Sequence, residues 1–288
     1  MKPVVGINWK VYLIEAWGLG IFMLSASFFV VLFEHPYFLV NSFIPNTFIR
    51  RMFIGVAMGL TAVVIIYSKW GKLSGAHINP AVTLANYCLN RISLQDTIGY
   101  IVAQIMGATV AMLLLNVFFH SFLAVPSVNY IVTIPGQDGI AVAVFAEFIM
   151  SLVLFTILLV VSNSRFARYT GWVAGLLVCL FISLEAPLSG MSINPARSFG
   201  SAFVSGNWKS FWIYIIAPIA GMQVAAYIFR AWYFFKKGEC NSMNSFMSGN
   251  ENGNATYKVF KWWKKDEQGN AVKVNNPKLL NTLTKNVL

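Results

Sequence analysis

The chain is 288 residues long, 57% hydrophobic and only 11% charged, far below the roughly 25% charged residues of a soluble globular domain. That balance excludes a pair of ordinary soluble domains and points to one membrane-embedded unit followed by a polar tail. The net charge of +11 does not mark a nucleic-acid partner, because nine of the 21 Lys and Arg lie beyond residue 235 and the others are sorted by side.

In chain order, six stretches are long enough to cross roughly 30 Å of hydrocarbon as helices: about 11–33, 50–68, 97–119, 140–162, 169–185 and 210–233. The first is too long for a signal-peptide core and carries Glu15, so it reads as a retained span. Residues 79–89 and 194–204 are shorter, and each opens with Asn-Pro-Ala. They read as half-spans that enter and leave on one face, an arrangement tolerated only where protein buries the irregular backbone or it lines a water-filled cavity. After Lys236 the composition turns to Asn, Ser, Lys and Gly, giving an expected channel domain over 1–235 and a flexible tail over 236–288. The tail's Lys261-Trp262-Trp263-Lys264-Lys265 cluster reads as a solvated stretch, with an anionic lipid surface as the alternative, and the Asn254 sequon is discounted.

Lys2, Lys10, Lys69, Lys72, Arg91, Arg165, Arg168 and Arg230 fall at alternate crossings on the side of the tail, whereas Arg50, Arg51, Arg197 and Lys209 fall on the other. This positive-inside asymmetry puts both termini in the cytoplasm, with the cytoplasmic (plasma) membrane as the expected location. Cys88, Cys179 and Cys240 are odd in number and make no disulfide framework.

The chain repeats itself. Residues 74–83, SGAHINPAVT, match residues 189–198, SGMSINPARS, at six of ten positions; residues 100–111, YIVAQIMGATVA, match residues 214–225, YIIAPIAGMQVA, at seven of twelve. Each half, about 8–120 and 138–235, holds three spans, so the second copy sits upside down relative to the first. In such folds the working site lies near the midplane at discontinuous helices.

Asn79-Pro80-Ala81 and Asn194-Pro195-Ala196 have the order of an N-cap followed by proline at the first helical position. An asparagine oxygen can cap backbone amides while its NH₂ keeps protons to donate to a passing solute. Two helix N-termini meeting there disfavour cations, and a water accepting from both asparagines turns its own protons outward, which interrupts a proton wire.

In SGAHINPAVT, GMSINPARSFGSA and YIVAQIMGATVA the sequence resembles the aquaporin, or major intrinsic protein, family, a resemblance that covers about residues 8–233. The resemblance implies an all-α membrane protein of six transmembrane helices plus two re-entrant half-helices in inverted three-span repeats, assembled as a homotetramer with a pore in each subunit. It implies passive passage of water, with glycerol, urea or hydrogen peroxide as further solutes, and no enzyme activity, cofactor or metal. It also implies an outer constriction in which Arg197 is the arginine, with Ile182 where water channels have histidine, Met191 where they have a small residue or cysteine, and Met58 or Gly59 where they have phenylalanine. Pore-lining carbonyls are expected from Gly75, Ala76, His77 and Ile78, and from Gly190, Met191, Ser192 and Ile193. Glu15 and Glu147 are expected to hold those loops through backbone amides. Without the histidine the filter is more apolar and favours solutes with a carbon face.

The alternative is a secondary transporter, since inverted repeats with broken helices also describe alternating-access carriers. Such a carrier needs coupling groups, and the sequence offers Glu15 and Glu147 at depth, both with a scaffold role. No nucleophile, acid–base grouping or phosphate-cradling loop supports an enzyme.

Overall fold

The computed structural model describes residues 8–237 and two short segments, 263–265 and 271–273. Residues 8–237 form helices α1 (Trp9–Glu34), α2 (Val40–Phe43), α3 (Thr47–Tyr67), α4 (Lys69–Ser74), α5 (Pro80–Cys88), α6 (Leu94–Leu123), α7 (Gly139–Ser162), α8 (Thr170–Ser189), α9 (Pro195–Ser205) and α10 (Ile213–Lys237). Six of these, α1, α3, α6, α7, α8 and α10, are long and apolar enough to cross a membrane. At 1.5 Å per residue, α5 and α9 reach only roughly 15 Å, half the hydrocarbon thickness.

Local sequence fixes the ends. The Asn46 side chain caps α3 by accepting from the amides of Phe48 and Ile49, and Ser93 and Asp96 cap α6 reciprocally. Gly75 and Gly190 end α4 and α8 in the left-handed conformation, at φ 87° and 80°, where a Cβ is disfavoured. The span expected to stop at residue 185 continues through Glu185 and Pro187 to Ser189, because Gly190 rather than the proline supplies the stop. The span expected over 97–119 extends to Leu94 and Leu123, with a kink at Phe119.

The helices pack chiefly as α1 with α6, α7 with α10 and α3 with α8. The first two pairs are equivalent in the two halves. A Cβ on Gly107 of α6 would lie 2.1 Å from the Ala16 carbonyl oxygen, and one on Gly221 of α10 would lie 2.4 Å from that of Phe148. Ala16 and Phe148 each follow the glutamate of their own repeat, so the same close approach is built twice. The third pair crosses on the symmetry element itself. A Cβ on Gly59 would lie 2.4 Å from the Gly175 oxygen, and one on Gly175 would lie 2.5 Å from the Gly59 oxygen. Reciprocal contacts of this kind mark a two-fold relation.

Large apolar side chains such as Phe28, Val117, Phe145 and Leu184 stay well over half exposed. A water-soluble surface would not carry so many, whereas a lipid-facing one does.

The expectations for Lys2, Cys240, the Asn254 sequon and Lys261-Trp262 lie outside the described residues, as does most of the tail. Within a separate C-terminal unit, Trp263–Lys265 pairs antiparallel with Ala271–Lys273, Lys264 standing opposite Val272. Trp and Val are residues that strand pairing favours.

Candidate functional site

The first turns of α5 and α9 meet through their capping residues. Asn79 Oδ1 accepts from the Ala81 amide at 2.9 Å, while its Nδ2 donates to the Ile193 carbonyl at 2.7 Å. Asn194 Oδ1 accepts from the amides of Ala196 and Arg197, and its Nδ2 donates to the Ile78 carbonyl at 2.8 Å. Each side chain thus spends its oxygen on its own helix and one N–H on the opposite half. One N–H remains on each. Pro80 and Pro195 occupy the first helical positions and cost no hydrogen bond there, and Ala81 and Ala196 are fully buried.

The loops before the asparagines are strained in the same way. Ala76, Ile78, Met191 and Ile193 all have φ between 40° and 48°, a region that costs a non-glycine residue about 1–3 kcal/mol and persists only when surroundings hold it. Two fully buried carboxylates do so. Glu15 accepts from the amides of His77 and Ile78 at 3.1 and 2.6 Å, and Glu147 accepts from those of Ser192 and Ile193 at 2.7 and 2.6 Å. The hydroxyls of Ser74 and Ser189 accept from Ala76 and Met191, both at 3.1 Å, and Tyr100 and Tyr214 donate to the Ser74 and Ser189 carbonyls.

The halves differ in the third donor to each carboxylate. Gln104 donates to Glu15 at 2.8 Å and to Thr83 at 3.1 Å. Its counterpart in the second half is Pro218, and there the Ser189 hydroxyl donates to Glu147 at 2.7 Å instead. The His77 ring bonds Thr83 through Nδ1 and packs edge-on to Tyr100.

A cavity of about 430 Å³ runs past this junction and is lined by both asparagines and by all the candidate filter side chains but one. Thr47, Arg51, Ile54, Met58, Ala62 and Ile66 form the stripe that α3 turns toward it, so Met58 lines the cavity. Gly59 does not; it lies on the next face, at the crossing with α8. Ile182, Met191 and Arg197 also line the cavity, as do Ala76, His77, Ile78, Gly190, Ser192 and Ile193, whereas Gly75 is absent from its wall. The Ile78 and Ile193 carbonyls are each engaged by the opposite asparagine, which the sequence did not predict. Arg197 Nη1 is buried without a hydrogen-bond partner among the described residues.

Glu185 was missed as a residue at depth. It is 8% exposed and neither carboxylate oxygen has a partner among the described residues. Ser189 lies beside it, but that hydroxyl's single proton is given to Glu147. An unpaired buried carboxylate costs stability that a methionine of similar length would not. Glu185→Met is expected to raise the thermal unfolding temperature in detergent, by about 1–3 kcal/mol of stability. A lower unfolding temperature would mean that the carboxylate has a partner.

Three comparisons bear on identity. Residues 8–229 match the family model for major intrinsic proteins. Aquaporin NIP1-2 of Arabidopsis thaliana is 32% identical over 208 residues, covering 70% of this chain and 70% of its own. Glycerol uptake facilitator protein-like 6 of Lactiplantibacillus plantarum is 38% identical over 186 residues, covering 62% of this chain and 83% of its own. The X-ray structure of the aquaglyceroporin from Plasmodium falciparum superposes with a TM-score of 0.62 at 22% identity, covering 82% of this chain and 98% of that one, which is a likeness of fold. With six bilayer-length helices and a family match spanning nearly all of them, the chain is an integral membrane protein that belongs to the major intrinsic protein family, a family of channels and not of enzymes.

Proposed function

We propose that the chain conducts water and small neutral solutes passively and turns back ions and protons. The observation that carries this reading is the pair of unspent amide N–H groups on Asn79 and Asn194, set at two converging helix N-termini inside one cavity. A neutral oxygen is held there by two donors. A cation meets two positive helix ends, and Glu15 and Glu147 are spent on backbone amides. An anion has donors but must shed its water between apolar walls, including Met58, Ile182 and Met191.

Those three side chains together with Arg197 are the filter in this reading: one charged donor facing carbon. The set suits water and also a solute with a hydroxylated edge and a carbon face, such as glycerol. The names of the relatives, one an aquaporin and one a glycerol uptake facilitator protein, fit both solutes. Residues 1–235 are the channel domain and 236–288 a tail, with both termini cytoplasmic, in a plasma-membrane homotetramer.

Stopped-flow light scattering of proteoliposomes tests the reading. Rapid shrinkage in an impermeant osmolyte followed by reswelling in a glycerol gradient is expected, and shrinkage no faster than that of empty vesicles overturns it. Acceleration of labelled glycerol efflux by unlabelled glycerol outside would mark an alternating-access carrier instead. Arg197→Val is expected to let cations through. Removing a guanidinium about 4 Å from a passing ion lowers its barrier by on the order of 4 kcal/mol at an effective dielectric near 20. A sodium or proton leak measured with an entrapped dye checks this, and tight vesicles with unchanged selectivity would count against Arg197 as the filter.

A further inference from the structure

Two adjacent arginines open α3, and they have opposite fates. Arg50, 8% exposed, has all three nitrogens engaged: Nε and Nη2 bind Glu34 at 3.0–3.2 Å, and Nη1 donates to the Ile44 and Pro45 carbonyls at 2.9 and 3.1 Å. Glu34, which lines the cavity, is therefore neutralised by Arg50. Arg51 is one residue on, about 100° around the helix, and falls on the stripe that lines the cavity, next to Thr47 and Glu34. Its Nε is buried and has no hydrogen-bond partner among the described residues.

Among the described residues, Glu34 is the carboxylate that lines the cavity and its ion pair is with Arg50, while no ion pair forms to Arg51 on the cavity wall. Arg51 precedes Met58 by seven residues, roughly 10 Å along the helix. It stands clear of the expected constriction and well away from the asparagine pair. A half-buried guanidinium whose terminal Nη groups make no hydrogen bond or ion pair among the described residues offers a planar fork of donors, the geometry that matches a carboxylate or a comparable oxyanion. Thr47 adds a hydroxyl that can donate or accept.

We propose that this mouth is a binding site for a small planar oxyanion, of the size of formate, held by the Arg51 fork with Thr47 beside it. The occupant balances the local charge, cannot follow the path past the apolar walls without losing its hydration, and stands in series with the pore. Occupancy therefore slows permeation. This second consequence rests on the conduction proposed above; the binding does not.

The test uses the full chain in detergent, with sodium formate as the probe against sodium chloride at matched ionic strength and neutral pH. A ligand that binds only the folded state raises its unfolding temperature in a saturable way. Wild-type protein is expected to gain about 2 °C or more with formate and nothing from formamide, the uncharged isostere. Arg51→Gln is expected to lose that gain relative to its own formate-free value. No formate-specific gain in the wild type, an equal gain in Arg51→Gln, or an equal gain with formamide would each overturn the site. In proteoliposomes, formate is expected to slow water permeation about threefold in the wild type, an effect absent from Arg51→Gln. Undiminished water flow despite the thermal gain would remove the in-series placement. Vesicles that conduct no water even without formate, alongside an Arg51-dependent thermal gain, would overturn the channel reading and leave the anion site standing.

Discussion

Glu147→Leu is expected to abolish rapid osmotic shrinkage and to leave little monodisperse protein in detergent. Three donors lose a charged acceptor at once: the amides of Ser192 and Ile193 and the hydroxyl of Ser189. At roughly 1.5–3 kcal/mol for a hydrogen bond to a charged group, the loss is about 5–9 kcal/mol, comparable with the whole stability of a domain. The strained φ of Ile193 would then lose the acceptor of its amide, and the Ile193 carbonyl would leave Asn79. Glu15→Leu is expected to do less damage, because Gln104 keeps Thr83 as a partner when Glu15 is gone. Glu147→Gln keeps one acceptor and turns an NH₂ toward a backbone N–H, so it falls between. Wild-type shrinkage rates in vesicles holding folded Glu147→Leu would show that the loop stands without its carboxylate.

The sequence displayed the elements of this fold because membranes make the signal coarse. A bilayer demands some twenty apolar residues per crossing, and residues 79–89 and 194–204 were visible as too short for it. The capping asparagines were legible for a similar reason, since Asn-Pro is local chemistry that needs no partner to be read. Contacts made across the repeat were not. That Asn79 and Asn194 each donate to the isoleucine before the other is a property of two loops brought face to face. Nothing in either decapeptide states it. Helical phase explains two further gaps. The expected span stopped at residue 185, yet a proline near a helix end removes only one bond and α8 runs on past Pro187 to Ser189. Arg50 and Arg51 were indistinguishable as a basic pair at a membrane edge; a turn of about 100° sends one to Glu34 and the other into the cavity.

The same phase argument separates Met58 from Gly59, and it sets the second large effect. Gly59→Leu is expected to prevent folding, at a cost of more than about 4 kcal/mol, because its Cβ would sit 2.4 Å from a backbone oxygen of Gly175. That atom is not the end of a flexible side chain. It belongs to a helix on which a Cβ at Gly175 would itself lie 2.5 Å from the Gly59 oxygen, so neither backbone can retreat without parting α3 from α8. Separation would carry Met58 and Ile182 apart as well, since each lies on the cavity side of its own helix. A substitution one residue earlier should behave differently. Met58→Phe adds bulk toward an open cavity rather than a packed backbone, so the protein is expected to unfold within a few degrees of the wild type while passing glycerol more slowly relative to water. If Gly59→Leu yields monodisperse protein with an unchanged unfolding temperature, the two halves do not meet backbone to backbone at this crossing. The width of the cavity at Met58 and Ile182 would then not depend on that glycine pair.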